Sequence, residues 1–511
     1  MRTNLLWVPL VAFLASCTMG PDFQHPELQT PSQWSRSPAA AADAAHAVAV
    51  PEPVDTRWWN SFGDPLLTEL VTRAMDSNLD IKIAMARLAE SRAQLGQTRA
   101  DAFPTLNGNA SYTRQLESAD GVIGLLGGSG SSSATDTNGL GGRQGGVPQS
   151  SGTALPAFNL YQYGFDTSWE LDLWGRVRRT TENAQATVEA QNEARHDAIV
   201  STAAEVARDY LNLRGTQARL RITRENLAFA QRTVELTTER AKHGLSTDLD
   251  VANAQSQAES NAAEIPQGEQ QEAQLINAIG ILLGEYPQAL AAQLKEAPVV
   301  PAVPPRVPVG LPSELARRRP DIRQAEAQLH AATASIGAAK ADFFPKITLS
   351  GSAAMQATQF SNLGSWDARS YSFGPSLSIP IFEGGRLRAT LALREAQQQE
   401  AAITYRKTVL TAFREVDDAM TGFAAEQRRR DRLEASVQAS KRALDLANKR
   451  YIRGFSNYLD VLTAQKTLLT NEQQWVDSTA TISTNLVSLY KALGGGWDVL
   501  PEESPEKKSA L

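Results

Sequence analysis

Lys242-His243-Gly244-Leu245-Ser246-Thr247-Asp248-Leu249-Asp250-Val251 and Ile452-Arg453-Gly454-Phe455-Ser456-Asn457-Tyr458-Leu459-Asp460-Val461 carry nearly the same text, and Gly454 follows Gly244 by 210 residues. The same offset links Ala254-Gln255 to Ala464-Gln465 and Leu283-Gly284 to Leu493-Gly494. A fixed offset shared by separate short texts marks an internal duplication. Each copy sets a glycine and a few small polar residues between long helical patterns, so each predicts the tip of a hairpin of two antiparallel helices. The tips are expected to form the working end of a tube.

Outward from the tips, the 511-residue chain is only 7% aromatic, and long stretches are rich in Ala, Gln, Glu, Leu and Arg, the composition of extended helices. A net charge of −6 offers no electrostatic footprint for nucleic acid, and none is expected as a partner. Arg2, an apolar run from Leu5 to Leu14 and the small residues after it predict a secretory signal over 1–16. Cys17 is the only cysteine, which excludes an intrachain disulfide; alone it reads as a buried or idle thiol. Its place after Leu14-Ala15-Ser16 resembles the lipobox of bacterial lipoproteins, which implies acylation of Cys17. Thr18 stands where an aspartate would resemble an inner-membrane retention signal, and so implies the outer membrane. No later stretch offers about 18 consecutive apolar residues, so a membrane span would have to be made of strands.

Residues 17–56 are Pro- and Ala-rich and predict an extended tether for the lipid anchor. Two repeats follow, over 57–286 and 313–497, separated by an extended proline-rich crossing over 287–312. Gly494-Gly495-Gly496 and the tail over 498–511 are expected to be loose. Asp64-Pro65 is a helix start, with Asp64 as N-cap and Pro65 at the first helical position, and one helix is expected from there to Asp101.

Ala100-Asp101-Ala102-Phe103-Pro104 returns as Ala341-Asp342-Phe343-Phe344-Pro345, and after each the period changes from helical to alternating. Leu106, Gly108, Ala110 and Tyr112 alternate with polar residues; so do Tyr161, Tyr163, Phe165, Trp169 and Leu171. The second copy alternates at Ile347, Leu349, Ala353 and Met355 and again at Tyr371, Phe373, Leu377, Ile379 and Ile381. This predicts hairpins over about 104–172 and 345–382. In an exported chain, strands of about ten residues with aromatics near their ends on the greasy face fit a transmembrane sheet. Four strands cannot close, and eight give a barrel filled by its own side chains. Three copies give 12 strands and an open lumen.

The Gly- and Ser-rich stretch over 117–157 predicts a surface loop and lacks the Gly-x-x-x-x-Gly-Lys pattern of a phosphate cradle. Helical pairs are expected over about 175–284 and 386–493. From Gly175 to His243 the text has no proline, enough for about 100 Å of helix. One seam steps by seven through Ile199, Val206, Leu213, Leu220, Leu227, Val234 and Ala241, and a second holds Ile222, Phe229 and Leu236. Val409, Val416, Phe423, Val437, Leu444 and Tyr451 repeat the spacing, as do Val461, Leu468, Trp475, Ile482 and Leu489. The returning helix of the first half is weaker, with Glu272 on the seam and a kink expected at Pro266. Two seams per helix suit a stave with neighbours on both sides.

With lipobox, strand hairpins, long helices and glycine tips together, the chain resembles the TolC family of trimeric outer-membrane efflux ducts over about residues 58–497, and within it the lipoprotein branch serving resistance-nodulation-division pumps. The most specific texts are Tyr451 to Ser456, Tyr458 to Gln465, and Ala341 to Pro345. The resemblance implies a mainly α fold with a membrane β-barrel, in which a homotrimer closes 12 strands and continues into a 12-helix α-barrel. It implies tips that contact a periplasmic adaptor (membrane fusion) protein, at Gly244, Leu245 and Ser246 and at Gly454, Phe455 and Ser456. It also implies a periplasmic gate with Asp250, Asp460 and Tyr451, an inner-membrane pump as partner, contact with outer-membrane lipid, and no cofactor beyond the lipid on Cys17. Where some relatives carry a locking arginine and a second gate aspartate, this chain has Ser456 and Thr463, with Arg453 as the substitute to be tested.

Alternatives stay open at this stage. Asp250 and Asp460 could instead favour helix N-termini, with Asp248 the expected plain cap. A type I secretion duct or a non-channel scaffold would share much of the pattern. No His-Glu-x-x-His or Gly-x-Ser-x-Gly text occurs, so no enzyme or metal site is expected, and His196 and His330 read as solvated.

Overall fold

A computed structural model describes residues 18–27, 31, 34, 47–116, 157–295 and 299–498. The signal, Cys17, nearly all of the Gly- and Ser-rich loop and the C-terminal tail lie outside the described residues. Two compact units are present; of the described residues one holds 18–21, 96–116, 157–181 and 335–392, and the other those within 22–95, 182–334 and 393–498.

The first unit is built on a four-stranded antiparallel sheet: β2 (Thr105–Gln115), β3 (Phe158–Leu171), β5 (Lys346–Ala357) and β6 (Arg369–Ser378), in that order. Directly paired residues share a face. Register sets Gly108, Phe165, Ala353 and Tyr371 in one row and Asn107, Asp166, Ser352 and Ser372 in the next. Every greasy position read from the alternation within the strands therefore falls on one face; Ile379 and Ile381, expected to continue the last strand, lie beyond its end at Ser378. That face is open, with Leu106, Phe165, Tyr371, Phe373 and Leu377 all exposed. A water-soluble sheet would cover such a face. β2 and β6 each leave one edge unpaired. The opposite face is tied by side chains: Gln356 donates to Gln162 at 2.8 Å, and Ser352 meets Ser372 at 2.9 Å.

The second unit is helical. α1 (Pro65–Ser77) starts as expected, with the Asp64 carboxylate accepting from the amides of Leu66 and Leu67. The single helix expected to Asp101 is instead two, because Asn78 leaves the helical region at φ −55, ψ 135. Its Oδ1 accepts from the amides of Asp80 and Ile81 and so starts α2 (Leu79–Ala100). Asparagine competes with the backbone for such bonds, and here it wins.

The long pair α3 (Arg176–Lys242) and α4 (Asp248–Leu282) has its counterpart in α8 (Arg386–Ile452) and α9 (Tyr458–Ala492). Both outgoing helices have 67 residues and both returning helices 35. Pro266 sits inside α4 without ending it. Ile199, Val206, Leu213, Val409, Val416, Phe423, Ile482 and Leu489 are buried in one common core, so the heptad seams of both halves meet. The second seam fades towards the tip, where Leu236 is exposed.

Two connecting segments differ from expectation. The proline-rich crossing begins with a helix, α5 (Pro287–Leu294), because Pro287 at its first position starts a helix rather than preventing one. It then forms β4 (Arg306–Pro308), which pairs parallel with β1 (Val48–Val50). α6 (Pro312–Arg318) and α7 (Pro320–Ala341) follow. The tether is accordingly not free where it is described. The Trp34 indole is buried and donates to the Gly310 carbonyl at 3.2 Å, and the Ala47 amide donates to Gln427 Oε1 at 2.7 Å.

The triple glycine is also fixed. Trp58 and Trp59 are buried, Trp58 stacks on Tyr490 at 5.3 Å, and its indole donates to the Gly495 carbonyl. A Cβ on Gly495 would lie 3.3 Å from Trp58 Cδ1, and Gly496 has a φ of +113, so the close approach requires both glycines. His196 and His330 are not solvated as expected. His196 is buried between Glu193 at 3.1 Å and the Trp497 ring, and His330 meets Glu182 at 3.0 Å and stacks on Phe23.

Candidate functional site

Each outgoing helix stops at a glycine in the left-handed region, Gly244 at φ +66 and Gly454 at φ +77. The following amides turn back, Leu245 to the Arg240 carbonyl and Phe455 to the Arg450 carbonyl, both at 2.9 Å. This closing pattern satisfies carbonyls that a helix end leaves open, at a backbone angle only glycine adopts without strain. The turns push Leu245 and Phe455 outward, 65% and 72% exposed. Leu249, Ile452 and Leu459 are exposed beside them, leaving an apolar rim on both tips.

Thr247, not Asp248, caps α4. Its Oγ1 accepts from the Asp250 amide at 3.2 Å, and Asp250 Oδ2 accepts in return from the Thr247 amide at 3.0 Å. Asp250 is therefore the acidic arm of a capping box. The same oxygen also accepts from Ser246 Oγ at 3.1 Å, and Ser246 Oγ lies 2.9 Å from the Tyr451 hydroxyl. An ionised carboxylate only accepts, so the proton order is Tyr451 to Ser246 to Asp250. Two of the three expected gate residues thus belong to one bonded chain between the first tip and the end of α8.

Asp460 does not join it. Its amide donates to the capping Asn457 side chain at 3.3 Å, while its carboxylate is exposed and unbonded among the described residues. Arg453 likewise makes no ion pair among the described residues. Ser456, the duplicate of Ser246, has a buried Oγ with no hydrogen-bond partner. The reason lies in the repeat: the residue matching Tyr451 in the first copy is Ala241. The tips are alike in text and backbone but not in bonding.

Two further participants, Arg240 and Tyr458, are not among the expected site residues. The Arg240 guanidinium lies 4.7 Å above the Tyr451 ring and donates to the Ile452 carbonyl at 3.2 Å, pinning the end of α3 to the end of α8. A basic residue in the last turn of a helix was the available clue. Tyr458 is buried against Tyr451 at 5.8 Å, and burial, aided by Tyr451 and Asp250, pushes its phenol up to about 12. With Val437, Leu444 and Val461 these rings form a small core behind the tips. No group of His, Cys, Asp and Glu able to hold a metal occurs among the described residues.

The arrangement is two exposed apolar rims, the first of them backed by a chain of hydrogen bonds from Tyr451 through Ser246 to Asp250. A family model for outer membrane efflux proteins matches residues 70–285 and 311–495. The chain is 36% identical over 491 residues to the outer membrane protein OprJ of Pseudomonas aeruginosa, covering 95% of this chain and 94% of that protein. It is 30% identical over 506 residues to SilC of Salmonella typhimurium, described as a probable outer membrane lipoprotein, covering 97% and 99%. The solved structure of the outer-membrane channel OprN matches with a TM-score of 0.82 at 32% identity, over 94% of this chain and all of that one.

Proposed function

The chain belongs to the outer membrane efflux protein family and is an outer-membrane efflux channel; from that premise we propose how it is assembled and what it docks. Three copies close their sheets edge to edge into a 12-stranded barrel, and their long helix pairs form the tunnel leading to it. The observation that carries this is the sheet itself, with one exposed aromatic face and two unpaired edges. In lipid, each unpaired backbone group costs several kcal/mol, so the edges of β2 and β6 must find one another in neighbouring copies.

The apolar rims around Leu245 and Phe455 dock a periplasmic adaptor, which joins the channel to an inner-membrane resistance-nodulation-division pump. Acylation of Cys17 anchors the chain, a reading supported by the lipobox-like text and by likeness to a probable lipoprotein. Cargo passes without chemistry by the channel itself, and no cofactor is needed. Native mass spectrometry in mild detergent tests the assembly: a trimer is expected, and a stable monomer would sink the closure.

A further inference from the structure

We infer that the sheet carries a lipid-phosphate site at its loop end, formed by Arg369 of one copy and Arg114 of the next. The inference rests on the trimeric closure proposed above. Arg114 and Arg369 occupy the greasy face by register: Arg114 follows Tyr112 by two, and Arg369 shares a row with Met355, Tyr163 and Ala110. Each is the last residue of that face at the loop end of its strand, and both are exposed. A cation on a lipid-facing row is costly unless it reaches the headgroup layer, where it gains an anion.

The surroundings mark that layer. Tyr112 and Tyr161 pack at 4.9 Å, Phe360 meets Tyr161 at 5.6 Å, and Tyr371 and Trp366 are exposed nearby. Aromatic rings gather where hydrocarbon gives way to headgroups. The Arg369 guanidinium is held in place over the Trp366 ring at 4.2 Å and donates to the Trp366 carbonyl at 2.9 Å, which leaves its other N–H groups available. Neither arginine has a carboxylate partner among the described residues.

β2 and β6 are the two edge strands, so within one copy the arginines stand three strands apart. Closure brings β6 of one copy beside β2 of the next, about 4.8 Å away. The two guanidiniums then stand on the two sides of one seam between copies, Arg114 four residues along β2 from the row that Arg369 shares with Ala110, above a strip of greasy sheet. A phosphate-bearing outer-leaflet lipid matches both parts, its phosphates meeting the arginines bidentately and its acyl chains lying on the sheet.

The test is retention of lipid by the purified trimer after detergent exchange. Native mass spectrometry should show lipopolysaccharide adducts on the trimer, and Arg114→Gln combined with Arg369→Gln should cut them roughly tenfold or more. Lys346→Gln, a lost cation at the opposite end of β5 on the polar face, should leave them unchanged. Lipopolysaccharide in mixed micelles should raise the trimer's melting temperature, whereas inorganic phosphate alone should not. A double variant that stays trimeric and keeps its adducts would overturn the site. Equal stabilisation by free phosphate would overturn its assignment to lipid. A spectrum containing only monomers would instead count against the closure.

Discussion

Replacing Tyr451 with phenylalanine removes one oxygen and tests whether the chain of hydrogen bonds to Asp250 holds the tunnel shut. Phenylalanine keeps the ring, its packing on Tyr458 and the Arg240 guanidinium above it. Only the 2.9 Å bond to Ser246 is lost. Such a bond contributes about 1 kcal/mol per copy, so three copies moving together would shift the closed-to-open equilibrium by about 3 kcal/mol, on the order of a hundredfold. Ser246→Ala should do more, because it also breaks the 3.1 Å bond to Asp250 and strands a buried tyrosine hydroxyl. Single-channel recording in planar bilayers should show a higher open probability for Tyr451→Phe and a still higher one for Ser246→Ala. If both variants remain trimeric and open no more often than the parent, the chain from Tyr451 to Asp250 shapes the hairpin end and nothing else.

Thr247→Ala removes the cap of α4 and should cost about 1 kcal/mol of stability, read as a lower thermal midpoint. Asp460→Ala should leave that midpoint alone, since Asn457 does the capping, yet lower the channel's preference for cations if the carboxylate faces the lumen. Asp197 has its pKa raised, chiefly by burial and then by Asp321 and Glu415, against the pull of Lys491 and Arg319. The folded state therefore binds this proton more tightly than the unfolded state, and stability falls as pH rises from the ordinary carboxylate value through the folded one. Asp197→Asn should raise the melting temperature at pH 7, and the gain should vanish in acid. Trp58→Ala should destabilise the helical unit by about 3 to 5 kcal/mol in a denaturant titration.

Periodic features were the legible ones. The heptads from Ile199 to Leu220 and from Val409 to Phe423 are buried as read, and the alternation through Leu106 and Tyr371 placed the greasy residues of each strand on one face, though it ran past the end of the last strand to Ile379 and Ile381. Both hairpins follow the duplicated text closely. What escaped depends on contacts between distant residues. Nothing in the text around Val48-Ala49-Val50 announces its pairing with Arg306-Val307-Pro308, and a proline run gave the opposite hint. Asn78 breaks a helix that periodicity would continue, because one side chain captures two amides. At the tips the backbone turns were readable from glycine and Asp250 and Tyr451 were named together, but the Ser246 link that joins them was not read. Whether Asp250 is gate or cap could not be divided in advance, since one carboxylate serves the box with Thr247 and the link to Tyr451 at once.

The clasp of Trp58 and Trp59 on Gly495 and Gly496 bears on when, as well as how, this protein is made. The Trp58 indole and the Gly495 carbonyl lie 437 residues apart along the chain. During synthesis and export the tryptophans emerge near the beginning and their glycine seat almost at the end. The helical unit cannot complete its core until nearly the whole polypeptide is present, and contacts so remote are slow to form. Through that interval the two large rings lack their glycine seat. A chain cut short before Gly495 would lack the carbonyl that accepts from the Trp58 indole and the glycine seat against which both rings pack.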